Sequence, residues 1–129
     1  MSDKIKFEQE YLLRTSPKAL NSMLMTPSGL AEWFSDDVNI KEDIYTFIWD
    51  GSEEKARLLS KKNNEFIKFR WLEDEEEGLN TYLEIKFKVD PMTKAVVLWL
   101  TAFAYEEELE EMQDLWESTI GELKRVLGA

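Results

Sequence analysis

The stretch VVLWLTAFAYEEELEEMQDLW, Val96 to Trp116, constrains the fold more than any other part of the chain, because its period changes in the middle. From Val96 to Ala104 nearly every side chain is apolar, on both faces of what would be a strand, so the strand belongs near the centre of a sheet. From Glu106 onward the apolar residues fall at helical spacing: Leu109, Met112, Trp116, Thr119, Leu123 and Val126 lie alternately three and four residues apart. Leu115, Ile120 and Leu127 widen that stripe. Acids crowd the first turn, Lys124-Arg125 occupy the last, and Gly128 supplies a stop, all of which suit the helix dipole and its ends. Gly121, inside the helix, costs about 1 kcal/mol relative to alanine. Close approach of the helix to a sheet is the expected reason. A central strand running almost without a loop into a long amphipathic helix implies an antiparallel sheet bent around that helix.

The remaining segments supply the sheet. KIKFEQEYLL alternates, with Ile5, Phe7, Gln9, Tyr11 and Leu13 on one face. Ser16-Pro17 and Thr26-Pro27 are two successive helix starts, each a capping hydroxyl followed by proline at the first helical position. They predict two short helices, the first burying Leu20, Met23 and Leu24, the second Leu30, Trp33 and Phe34. DVNIK, IYTFIW, EKARLLSKK, EFIKFRWLE and TYLEIKFKV read as strands. They are separated by turns at Asp50-Gly51, Asn63-Asn64 and DPMTK, and by the acidic run EDEEEG, which is expected to be a solvated loop. In the strand from Val96, Leu98 and Leu100 are the preferred inner set, with Trp99 and Phe103 outward. No internal repeat or linker divides the sequence, so residues 1–129 are expected to form a single domain.

Composition narrows the function classes. The formal net charge is −11, with 27 acids against 16 bases, a balance that repels phosphate backbones and anionic lipid surfaces. Neither nucleic acid nor a membrane is the expected partner. With no cysteine and no histidine, thiolate nucleophiles, imidazole bases and the common zinc ligand sets are excluded, and neither a metal nor a cofactor is expected. No apolar run resembles a signal peptide or a membrane span, which points to a cytoplasmic location. Five tryptophans in so short a chain imply extensive buried or binding-competent aromatic surface.

With that element order, LAEWF (Leu30 to Phe34), YTFIWDGSEEKARLL (Tyr45 to Leu59), FIKFRW (Phe66 to Trp71), LTAFA with the acids after it, and the terminal LWESTIGELKRVLGA give the chain its resemblance to the START-like helix-grip superfamily. It is most similar to small bacterial proteins of the chaperone-ATPase-activator-homologue type. The resemblance implies an α+β helix-grip fold: a curved antiparallel sheet of about six to seven strands wrapped around a long C-terminal helix, with two short helices after the first strand. It also implies an apolar cavity between sheet and helix. The wall residues carried over are Trp33 and Phe34 from the closing helix, then Phe47, Trp49, Leu58, Phe69, Trp71, Leu83 and Ile85 from the strands. Met112, Trp116 and Ile120 come from the long helix. Chaperone activators carry an additional N-terminal domain with no counterpart in these residues.

The first functional expectation is a non-catalytic module that holds a small apolar or amphipathic ligand in that cavity, with Trp33 and Phe34 on a gate. The second is a protein-interaction module, co-chaperone-like or self-associating as a homodimer, using Trp99, Phe103 and Tyr82 on the outer sheet face. The third is a cyclase- or hydrolase-like enzyme that would depend on Tyr, Asp, Glu or Arg alone. Lys68, Arg70 and the acidic runs read as solvated, while Tyr11 and Tyr45 have inward parity.

Overall fold

The computed structural model describes residues 3–129. Strand β1 (Ile5–Leu13) leads into two short helices, α1 (Pro17–Met25) and α2 (Pro27–Trp33). Their starts form as the capping residues dictate: Ser16 Oγ accepts from the Ala19 amide at 3.1 Å and Thr26 Oγ1 from the Gly29 amide at 2.9 Å. The helices pack so closely at Gly29 that a Cβ there would stand 2.1 Å from the Ser22 carbonyl oxygen. Only glycine fits.

Four strands follow: β2 (Asp37–Lys41), β3 (Ile44–Trp49), β4 (Ser52–Lys62) and β5 (Phe66–Trp71). A short helix α3 (Leu72–Glu76) intervenes before β6 (Leu83–Val89) and β7 (Val96–Ala104). A single turn of 3₁₀ helix, Glu106–Glu108, then opens α4 (Leu109–Leu127). The strands form one antiparallel sheet in the order β1-β7-β6-β5-β4-β3-β2. The β3–β4 turn is the two-residue Asp50-Gly51 hairpin, with φ of 48° and 84°, the left-handed pair that matches strand twist. A register shift in β4 between Leu58 and Ser60 is a bulge, which sharpens the local bend.

The concave face carries the core. Along β7 it presents Val96, Leu98, Leu100, Ala102 and Ala104, all buried, while Trp99 and Phe103 are half-buried on the convex face. From α4 the face receives Trp116, Ile120 and Leu123, and from α1 and α2 it receives Leu20, Leu24, Leu30 and Trp33. Gly128 closes α4 with φ of 69°. This is the helix-grip arrangement that the resemblance implies.

Three expectations are corrected. EDEEEG is not a solvated loop. Its first residues complete α3, and Asp74 is 4% exposed, because its carboxylate accepts from Lys4 Nζ at 2.7 Å and from Thr81 Oγ1 at 2.6 Å. Gly121 faces open space, with nothing within 4 Å of a built Cβ, so close approach to the sheet does not explain it. Leu115 does not join the buried stripe. It is 56% exposed, since a stripe that wide outruns the curved face available to cover it. Lys68 and Arg70 lie on the convex side as expected, yet both are held there. Lys68 sits 4.2 Å from the Tyr82 ring centroid and Arg70 Nε donates to the Thr81 carbonyl at 2.8 Å.

Candidate functional site

At one end of the sheet–helix interface the large inner residues of β7 give way to Ala102 and Ala104, and a cavity of about 890 Å³ opens there to solvent. The ends of β3 and β5 bring Trp49 and Trp71 to it, β6 brings Leu83, and α4 brings Met112, Leu115, Trp116 and Thr119. Phe34, just past α2, closes the inner side.

The aromatic walls are held in place by specific contacts. Trp49 Nε1 donates to the Phe34 carbonyl at 2.6 Å. Phe34 stacks on Trp116 at 5.5 Å with 15° between planes, and meets Trp49 edge-on at 5.2 Å. Phe47 lies behind Trp49 and Trp71, 5.8 Å from each. The Trp49 indole N–H is therefore satisfied within the fold, and its ring is held against Phe34 at the cavity wall.

Of the expected wall residues, the structure brings Phe34, Trp49, Trp71, Leu83, Met112 and Trp116 together around this space. Trp33, Phe47, Phe69, Ile85 and Ile120 are buried in the core beside it, and half-buried Leu58 packs against that core. Trp33 is tied down by its Nε1, which donates to the Met23 carbonyl at 2.9 Å. It forms part of the packing beneath the cavity and is absent from the wall.

A family model described as START-like superfamily domain matches residues 1–129. The chain belongs to the START-like superfamily. A Bacteroides fragilis protein solved by solution NMR is 32% identical, with a TM-score of 0.68 over 97% of this chain and 92% of that one. The solution structure of the Aha1 dimer from Colwellia psychrerythraea matches with a TM-score of 0.81 at 14% identity, covering 95% of this chain and 96% of that one. A protein of the dynemicin biosynthetic locus matches with a TM-score of 0.74 at 14% identity, covering 96% of this chain and 47% of that one. The last two likenesses concern the fold. No curated protein matches the chain.

The mouth of this START-like domain's cavity is polar, and most of it escaped sequence reasoning. Glu53, Glu54 and Lys55 border it from β4, Glu73 and Asp74 from α3, Lys4 from before β1 and Glu108 from before α4. Helix α3 is clamped over this mouth from both sides. Asp74 is bound by Lys4 and Thr81, and Arg57 grips Glu75 and Asp43 from β4, at 3.0 Å and 2.9 Å. Arg57 holds the Glu75 carboxyl below the usual carboxylate range. Burial, reinforced by the neighbouring Glu73, pushes the Glu54 carboxyl up.

Two signals in the sequence could have found part of this site. The alanines at 102 and 104 share the parity of Leu98 and Leu100, so the inner face of that strand loses volume towards its end. The two-residue turn pairs Trp49 with Ser52 and Phe47 with Glu54, which places Glu54 on the inner face. The Lys4–Asp74 contact has no local signal, because its partners are 70 residues apart. Among the described residues no cluster of three or more metal-ligating side chains occurs, and no helix is long and apolar enough to cross a membrane.

Proposed function

We propose that this START-like domain is a binding module for a small amphipathic molecule, seated in the open end of the sheet–helix interface with its apolar part against the aromatic walls. One observation carries the reading: an open cavity of about 890 Å³, within the range of small-molecule sites, walled by aromatics whose positions are already fixed. Preorganised walls avoid the ordering cost that a collapsible pocket would impose on a ligand. The apolar interior and charged mouth suit a molecule with two unlike ends.

The test uses N-phenyl-1-naphthylamine, a neutral dye that brightens and shifts to the blue in apolar surroundings. Binding in the ~micromolar range is expected, about −8 kcal/mol. Ala102→Leu, which narrows the cavity from its floor, is expected to weaken binding several-fold. Failure of the dye to bind, or equal binding by the narrowed variant, would overturn the reading.

A second reading, self-association through the convex sheet face, draws on Trp99, Phe103 and Tyr82. These side chains are half-buried and largely engaged within the domain. Trp99 Nε1 donates to Glu10 at 2.7 Å and Phe103 meets the Tyr82 ring at 5.0 Å. The Colwellia psychrerythraea neighbour is described as a dimer. Sedimentation velocity over a range of concentrations tests it: a single monomeric boundary throughout would remove this reading.

A further inference from the structure

We infer that the cavity selects amphipaths whose polar end is an organic cation, an amine or a quaternary ammonium, held by the Glu54 carboxylate beside the indoles of Trp49 and Trp71. The inference deepens the proposed ligand-binding function and rests on it.

The hairpin register makes the arrangement. Trp49 pairs with Ser52, Phe47 with Glu54, and Trp71 with Ala56. Directly paired residues of an antiparallel ladder project to the same face. Glu54 therefore rises from the inner face in a row between Ser52 and Ala56, with a tryptophan paired to each of those neighbours. The two indoles stand 6.4 Å apart, centroid to centroid, with 52° between their planes. Indole faces attract cations through their quadrupole, most strongly where water is excluded. A carboxylate flanked by two such rings offers a cation both charge and polarisable surface.

The remaining charges at the mouth favour the same sign of ligand. Lys4 is committed to Asp74 at 2.7 Å. Among the described residues that leaves Glu54, Glu73 and Glu108 as the remaining charged residues at the opening, while Glu53 and Lys55 border it with the opposite strand parity. Glu54 enters none of the ion pairs among the described residues. Partial desolvation and the neighbouring Glu73 both disfavour its ionisation, and a cation beside it would offset both. A carboxylate or phosphate head would instead meet repulsion, added to that of a chain carrying −11 overall.

The experiment compares ligands with one tail and three heads. Decyltrimethylammonium, decanol and decanoate, each below its aggregation threshold and at constant ionic strength, displace bound N-phenyl-1-naphthylamine from the full chain. Decyltrimethylammonium is expected to bind about tenfold more tightly than decanoate, as one partly desolvated cation contact of this type would supply. In Glu54→Gln that preference is expected to collapse to within about twofold while decanol affinity is unchanged, which also reports an intact cavity. Equal affinities for the three heads in the native chain, or an ammonium preference that survives Glu54→Gln, would overturn the cation inference and leave the binding function standing. No binding of the dye or of any tail would overturn both.

Discussion

The two ends of the sheet–helix interface are built from the same strands and the same helix, yet one is filled and the other open. At the filled end Leu13, Val96, Leu98, Ile120 and Leu123 are completely buried. At the open end the corresponding row on β7 continues as Ala102 and Ala104, and α4 offers half-buried Met112 and exposed Leu115 at the lip. Replacing leucine by alanine normally invites the surroundings to collapse. Here the ladder pairing of β7 to β1 and β6 keeps the backbone in place, and the Phe34–Trp116 stack with the Trp49–Phe34 hydrogen bond props the aromatic side. Small residues at two positions of one strand thus widen an opening that a rigid opposite wall keeps from closing.

Trp116 stands where the two ends meet, buried and stacked on Phe34, so its truncation should damage both. Trp116→Ala is expected to lower the unfolding free energy by about 3–5 kcal/mol in urea titrations. A loss below about 1 kcal/mol would mean the gripping contact is elsewhere. A much smaller change in volume, Gly29→Ala, should still cost about 1–3 kcal/mol, because the new methyl meets backbone that cannot swing aside. An unchanged melting temperature would show that α1 and α2 can shift apart freely.

Overpacking separates the two ends directly. Val96→Phe at the filled end is expected to cost about 1–3 kcal/mol, whereas Ala102→Leu at the open end should cost less than about 1 kcal/mol. Equal costs would erase the distinction. Gly121→Ala, on the solvent face of α4 with room for a Cβ, should stabilise the domain by about 0.5–1 kcal/mol.

The smallest effect concerns pH. A carboxyl with a raised folded-state pKa binds its proton more tightly in the native state, so its contribution to stability falls as pH rises from the unfolded value towards the folded one. Stability of the native chain relative to Glu54→Gln should therefore decline as pH rises above about 4.5, the ordinary value for the group. A relative stability that climbed over that interval would show that Glu54 is better accommodated ionised than its surroundings imply.

Element order, capping and the inward parity of the alternating strands were legible in the sequence, because each is decided by residues a few positions apart. Ser16-Pro17, Thr26-Pro27 and Asp50-Gly51 specify their own turns, and alternation puts Leu83 and Ile85 on the core side. In Val96–Ala104, apolar on both faces, it leaves Leu98 and Leu100 as no more than the preferred inner set. The same local logic failed wherever the answer depended on what lies opposite. Gly121 and Gly29 are both glycines inside helices, and only the packing of α1 against α2 reveals that the crowded one is Gly29. EDEEEG reads as solvated until Lys4 and Thr81 are brought to Asp74 by the pairing of β1 and β6 with β7. The division of the expected wall residues between cavity and core was likewise settled only by tertiary structure. Empty volume is a difference between side chains contributed by α4, β3, β5, β6 and β7, and no window of sequence contains them all.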